Sequence, residues 1–323
     1  MYPQQSQRTA LDFNSLLITI EERADAALLD AARALLDGLT LEETVDSLGT
    51  LLDWQLVPEG AAAARRERCR LVSYAAIMHG SALLPHLPAI ARLIVPLLGE
   101  PEEVVAEELQ RTVGNLSRYV LATHSDGPRQ PADVLGSLLS PLLAGAASGS
   151  ARSARGRACF SAIHRALTEL PHELLRPETI LPTSQALVQL IATMPEPPPG
   201  EALPPLTKAA HLAGVHLTKN DFHQHVQIAI ASLRADTAIN RRGGVELLRT
   251  LAPMLRAREG EVFAAELRAW VADEIGLLPE PERRQLVVQD LAAAYAAVGA
   301  NAAAVPYGRR KKEAREVEAA AEA

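Results

Sequence analysis

The sequence predicts an all-α protein built as a solenoid of stacked helical pairs. Three observations lead there. Ala and Leu dominate and aromatic residues make up only 3% of the 323 residues. That favours closely packed helices over strands, which draw on β-branched and aromatic side chains. No run of polar–apolar alternation bounded by turn residues stands out. Apolar segments of helical spacing instead recur in pairs, with a period of about 40 residues, the signature of a repeat array. Such an array grows by stacking, so its length need not divide into separate globular cores.

Residues 83–122 form the clearest repeat. The first half, LLPHLPAIARLIVPLLG, is an apolar helix that holds Pro96. The second half, VVAEELQRTVGNLSRYVLA, is amphipathic, with Leu109, Val113 and Leu116 facing the interior of the pair. Gly99, Glu100 and Pro101 stop one helix and start the next. A proline inside a helix removes a backbone hydrogen bond and collides with the preceding turn, at about 3 kcal/mol, so a kink is predicted at Pro96.

The other elements follow in order. Residues 1–10 read as a disordered lead. Residues 11–20 carry Leu11, Phe13, Leu16, Leu17 and Ile20 in a short apolar helix, and an Ala/Leu helix over 21–36 ends at Gly38. Thr40 and Glu43 have the spacing of a capping box ahead of LEETVDSLGTLLDW. A loop near 57–60 leads into the long helix AAAARRERCRLVSYAAIMHG, closed by Gly80. Beyond residue 122, SDGPRQP is a loop by composition. Residues 131–147, with Pro141 matching Pro96, pair with 154–170. Residues 177–194 and 201–217 pair across the turn EPPPG. Asn220 or Asp221 is expected to cap a helix reaching Arg234, with its partner at 241–256. Residues 261–275 and 280–298 make the last pair. The total is about seven pairs over 11–299. A charged tail, 300–323, carries Arg309 to Lys312 and then an acidic Ala-rich stretch, with too little apolar surface for more than a marginal helix.

Little points to catalysis. There is no Gly-rich phosphate loop, no G-x-S-x-G and no H-E-x-x-H. His223 and His225 are two apart and His211 and His216 five apart, spacings that do not share a helical face for a metal. His172-Glu173 is an isolated pair. No catalytic residue, cofactor or metal ligand is assigned, and the expectation is a non-enzyme. A net charge of −7 argues against nucleic acid and anionic lipid as partners. The polar start MYPQQSQRT does not read as a signal peptide, and no apolar run is expected to reach the roughly 20 residues of a membrane span. Cys69 and Cys159 sit in apolar helical patterns and read as buried thiols. A cytoplasmic protein is the expectation.

Charge placement suggests a partner. Arg152, Arg155 and Arg157 begin one second helix, and Arg241 and Arg242 begin another. A helix N-terminus carries partial positive charge, so Arg there is mildly unfavourable and something else must favour it. Either these side chains ladder to acids of the neighbouring repeat, or they form a basic edge for an acidic partner. Trp54 lies at the turn after Asp53, as an interface anchor or as a seal on the core.

Residues 83–122 resemble a HEAT repeat: a kinked first helix, an acidic-Pro turn, and a second helix with Val and then Thr112, Val113 and Gly114. Residues 64–105 are similar to the opening repeats of plant tortifolia-type microtubule-associated proteins, and more broadly to TOG-type arrays. The Arg-rich start, the His79-Gly80 ending and the motif Leu83-Leu84-Pro85-His86-Leu87 carry the likeness, which covers about 40 residues well and the rest by period. The resemblance implies a right-handed solenoid of HEAT-like hairpins that binds tubulin or microtubules through its within-hairpin turns. Trp54, Arg152, Arg155, Arg241 and Arg242 occupy comparable turns. The other reading is an armadillo-type adaptor that holds a partner peptide or helix in its concave groove. A row of basic turns favours the first; a mixed-charge groove lined with Asn favours the second.

Overall fold

The computed structural model describes residues 26–56, 61–122, 130–148, 153–194, 197–233, 235 and 237–258. The expected lead, the helix at 11–20, the last pair, the tail and Arg152 lie outside them. Every regular element among the described residues is helical, the α-helices being α1 (Ala26–Asp37), α2 (Leu41–Leu52), α3 (Ala62–His79), α4 (Leu87–Ile94), α5 (Glu103–Asn115), α6 (Pro131–Ala147), α7 (Ala154–Thr168), α8 (Pro177–Ala192), α9 (Leu203–Ala213), α10 (Lys219–Leu233) and α11 (Ala238–Arg258). The chain divides into two compact units, Met1–Thr183 and Ser184–Ala323, with the boundary inside α8.

In the first unit the helices alternate between two layers. First helices α2, α4 and α6 pack on one another in order, and second helices α1, α3, α5 and α7 do the same. The pairs α2–α3 and α6–α7 also pack directly. Each hairpin thus covers the apolar face of the next, which is how a repeat that cannot bury its own face gains a core. The expected inward set is buried: Leu109, Val113 and Leu116 have no exposure. In the second unit α10 and α9 both pack on α11, and α8 is tied to α10 by side-chain hydrogen bonds.

Local signals explain the helix ends. Thr40 forms the expected capping box: its backbone N–H donates to Glu43 Oε2 at 2.9 Å and its hydroxyl accepts from Glu43 N–H at 3.4 Å. The bond from the Thr40 backbone N–H first, and a second from its hydroxyl, which donates to the same Glu43 oxygen at 2.9 Å, hold the Glu43 carboxyl below its ordinary range. The expected cap at Asn220 or Asp221 is corrected. Thr218 is the cap of α10, accepting from Asp221 N–H at 3.1 Å, and Asp221 is the acid that answers three residues on, accepting from Thr218 N–H at 3.1 Å.

The prolines act unequally. The expected helix over 83–99 is three pieces: a 3₁₀ turn Gly80–His86, α4, and a 3₁₀ turn Val95–Gly99 with Pro96 near its start. The missing proline N–H denies the α pattern its next bond, and the chain tightens to the shorter-range one. Pro141, by contrast, lies inside the unbroken α6. The continuous helical run Ala62–Gly99 does contain a window long and apolar enough to cross a membrane by length and composition, which corrects the expectation that none exists. It is not one rod, because Gly80 turns it at φ +50, and Leu71, Leu87 and Ile94 along it are fully buried by the protein itself.

Polar ties one repeat apart lock the second-helix layer. Ser73 of α3 donates to Thr112 of α5 at 3.1 Å, and the Thr112 hydroxyl reaches back to the Cys69 carbonyl at 3.1 Å. Arg70 bridges Glu67 of its own helix at 2.7 Å and Glu108 of α5 at 3.4 Å. Ser117 donates to the Ala166 carbonyl of α7 at 2.8 Å. Arg118 pairs with Glu169 in the same direction.

Candidate functional site on the hairpin turns

Three successive within-hairpin turns of the first unit meet in one groove of about 530 Å³. The α2–α3 turn supplies Trp54, the α4–α5 turn supplies Pro96, Leu97 and the run Gly99 to Pro101, and the α6–α7 turn supplies Ser148 and the run Ser153 to Arg155. Repetition places these turns side by side: each hairpin presents its turn on the same edge as its neighbours.

The approach of the turns is close. A Cβ on Gly99 would lie 3.3 Å from Arg155 Cβ, so a side chain there would press the middle turn and α7 apart by a few tenths of an ångström. Behind the groove, a Cβ on Gly145 would fall 2.5 Å from Val95 Cγ1 and 3.0 Å from Cys159 Sγ, which explains a glycine in the interior of α6. Ser153 caps α7, accepting from Gly156 N–H at 3.1 Å, and leaves the remaining N-terminal amides and Arg155 at the groove's rim.

Trp54 is half-buried and its indole is covered by Arg65, whose guanidinium carbon stands 5.4 Å from the ring centre. Arg65 Nη1 also donates to both oxygens of Glu100, at 3.1 and 3.2 Å. One side chain therefore stacks on the first turn and neutralises the acid of the second. Arg68 is buried and donates to the Thr50 carbonyl at 3.0 Å, where α2 ends and carbonyls lack helical partners. These two arginines act inside the protein.

Arg155 differs: it is exposed and makes no ion pair among the described residues. Trp54 and Arg155 are thus brought to one groove, while Arg152 lies outside the described residues. In the second unit Arg242 is exposed, whereas Arg241 is half-buried and donates to the Ala235 carbonyl at 3.0 Å. The sequence reading missed the Trp54–Arg65–Glu100 chain. Its signal was present, since Arg65 and Glu100 are 35 residues apart and Ser73 and Thr112 are 39 apart, both near the repeat period.

No group of three or more His, Cys, Asp or Glu side chains that could hold a metal occurs among the described residues. Ser184 and His225 form a buried pair at 3.0 Å. His225 Nδ1 lies 2.6 Å from the Asp221 carbonyl, which can only accept, so Nδ1 carries the proton and Nε2 accepts from Ser184. The Asp221 carboxylate is turned instead to Thr218 and Gln185. Both Ser184 and His225 are fully enclosed, so no substrate reaches them, and the pair ties α8 to α10. Burial pushes the His225 pKa down, against the opposing pull of the Asp221 backbone and charge.

No family model matches the chain, and no curated protein matches it. Among solved structures it is similar to two engineered proteins from the Northeast Structural Genomics Consortium. The first is 15% identical, covering 79% of this chain and 97% of the other at a TM-score of 0.40. The second is also 15% identical, covering 88% and 68%, again at 0.40. A designed armadillo repeat protein is 14% identical, covering 79% and 99%, at 0.33. Likeness at this level says nothing of partner or activity; the helical-repeat architecture stands on the two-layer packing of the hairpins.

Proposed function

We propose that this chain is a non-enzymatic protein-binding scaffold that docks its partner along the edge of within-hairpin turns, with tubulin as that partner. The convergence of three turns on a groove lined by Trp54 and by Arg155, which is exposed and without an ion pair among the described residues, carries the reading. Tubulin is acidic, and an acidic surface meeting the exposed Arg155 of the first unit, or the exposed Arg242 of the second, gains steering and holding energy. Arg65, Arg68 and Arg241 contribute less, because their guanidinium groups already serve the fold.

The test is co-sedimentation with microtubules beside a free-tubulin binding assay. Exposed ion pairs contribute about 0.2–1 kcal/mol each, and reversal adds repulsion. Arg155→Glu with Arg242→Glu should therefore cost about 1–3 kcal/mol, roughly 5- to 150-fold in affinity. Added salt should weaken the parent and shrink that difference. Parent protein that fails to bind, or a folded double variant that binds as the parent does, ends the tubulin reading. A second reading, an adaptor that holds a peptide or helix on the second-helix layer, is favoured by one observation: the mixed-charge row of Glu67, Arg70, Glu108 and Arg111 runs across α3 and α5. Arg111→Glu would impair that adaptor and leave turn-edge binding intact.

A further inference from the structure

Resting on the turn edge as the docking surface, we propose that the groove takes a short linear segment of the partner, one apolar side chain flanked by carboxylates. The groove is open to solvent, and its volume of about 530 Å³ is enough to seat one or two side chains of an extended segment. Its walls divide by chemistry. Trp54, Pro96, Leu97 and Pro101 offer an apolar slot for one aromatic or leucine side chain. Ser153 and Arg155 form the polar rim, at the N-terminus of the 15-residue helix α7.

Charge selects the flanking residues. Glu100 is the acid in the lining, and it is spent: Arg65 holds it in a two-oxygen pair, and its side chain is only 6% exposed. Arg155 has no such partner among the described residues. Among the described residues the charge left uncompensated at the rim is positive, and the amides of the α7 N-terminus add to it. A carboxylate beside the apolar side chain meets both, whereas a lysine there meets only repulsion.

The experiment uses the full chain and a fluorescein-labelled heptapeptide with one central phenylalanine and three glutamates on each side, read by fluorescence anisotropy. Two control peptides replace the phenylalanine by alanine or all glutamates by lysine. The acidic phenylalanine peptide should bind at least about 10-fold more tightly than either control. Arg155→Glu should weaken it about 3- to 10-fold at low salt, with Arg155→Lys restoring most of the loss. Trp54→Ala should weaken it by an amount that persists in high salt, because the lost contact is apolar. If Trp54→Ala does not fold, Pro101→Glu at the exposed rim tests the slot by like-charge repulsion instead, weakening the acidic peptide at low salt by an amount that shrinks in high salt. Equal binding of the lysine peptide, or no response to Arg155→Glu, overturns the proposal. Tubulin in the same assay separates the two ideas. Tubulin binding without peptide binding overturns the linear-segment pocket alone, peptide binding without tubulin supports the pocket and removes tubulin as the partner, and failure of both overturns both.

Discussion

Substituting two glycines by alanine should move stability in opposite directions, and the structure decides the sign. In a helix interior, glycine costs about 0.5–1 kcal/mol relative to alanine, because its unfolded chain has more freedom to lose. Gly49 lies in α2, and a Cβ built there meets nothing within 4 Å. Gly49→Ala should therefore gain about 0.5–1 kcal/mol. Gly244 lies in α11 at its crossing with α10. A Cβ there would stand 2.7 Å from the Ala229 carbonyl oxygen, 3.2 Å from Ser232 Cβ and 3.3 Å from Leu233 Cδ2. The nearest obstacle is backbone and cannot rotate aside, so the two helices must part. Overpacking of that kind costs about 1–3 kcal/mol, which exceeds the propensity gain. The net expectation is a loss of about 1–2 kcal/mol. Urea unfolding followed by far-ultraviolet circular dichroism measures both variants. The two glycines lie in different compact units, so each is read against the parent's transition for its own unit. A Gly244→Ala protein at least as stable as the parent would refute the close crossing of α10 and α11.

The other expectations can be checked with the same protein. Leu109→Ala should cost about 2–5 kcal/mol in urea unfolding, since the side chain is wholly enclosed; a loss below about 0.5 kcal/mol would put the helix phase in error. Because the folded His225 pKa is depressed, the unfolded chain takes up the proton first. The stabilisation is full above the ordinary His value of about 6.5 and is lost as pH falls below it. Asp221, raised by burial but lowered further by its bonds from Thr218 and Gln185, acts in the same direction at more acid pH. Urea midpoints should fall between pH 7.5 and 5.5, and His225→Gln should flatten that slope. Burial pushes the Cys159 thiol up to about 11 and Cys69 higher still, so a thiol reagent at pH 8 should label neither in the native protein and both after unfolding. Rapid labelling of the native protein would contradict their burial.

The groove was half legible in the sequence. Trp54 and Arg155 were recognisable because a large aromatic and an unfavourably placed Arg each stand out in a helical turn. Arg65 was not singled out for its partners, since in sequence it is one of a run with Arg66, Arg68 and Arg70. Those four divide over three faces of one helix, and only packing assigns Arg65 to Trp54 and Glu100, Arg68 to the α2 carbonyls, and Arg66 and Arg70 to Glu67. The cap of α10 was misplaced by two or three residues because Thr218, Asn220 and Asp221 all can cap. The reciprocal bonds between Thr218 and Asp221 settle it.

By itself the sequence determined the helical hairpins, their period and their inward faces. Helix propensity, caps and apolar spacing act over a few residues, and such terms can be read along the chain. Leu109, Val113 and Leu116 were assigned inward on spacing alone, and all are buried. Tertiary structure decided what stands one repeat away. The Arg65–Glu100 pair, the contact of Gly244 with the α10 backbone, and the meeting of Trp54 with Arg155 all depend on how far each hairpin is shifted and turned against the next. That offset is set by the summed packing of whole helix faces, a quantity no local pattern of residues contains.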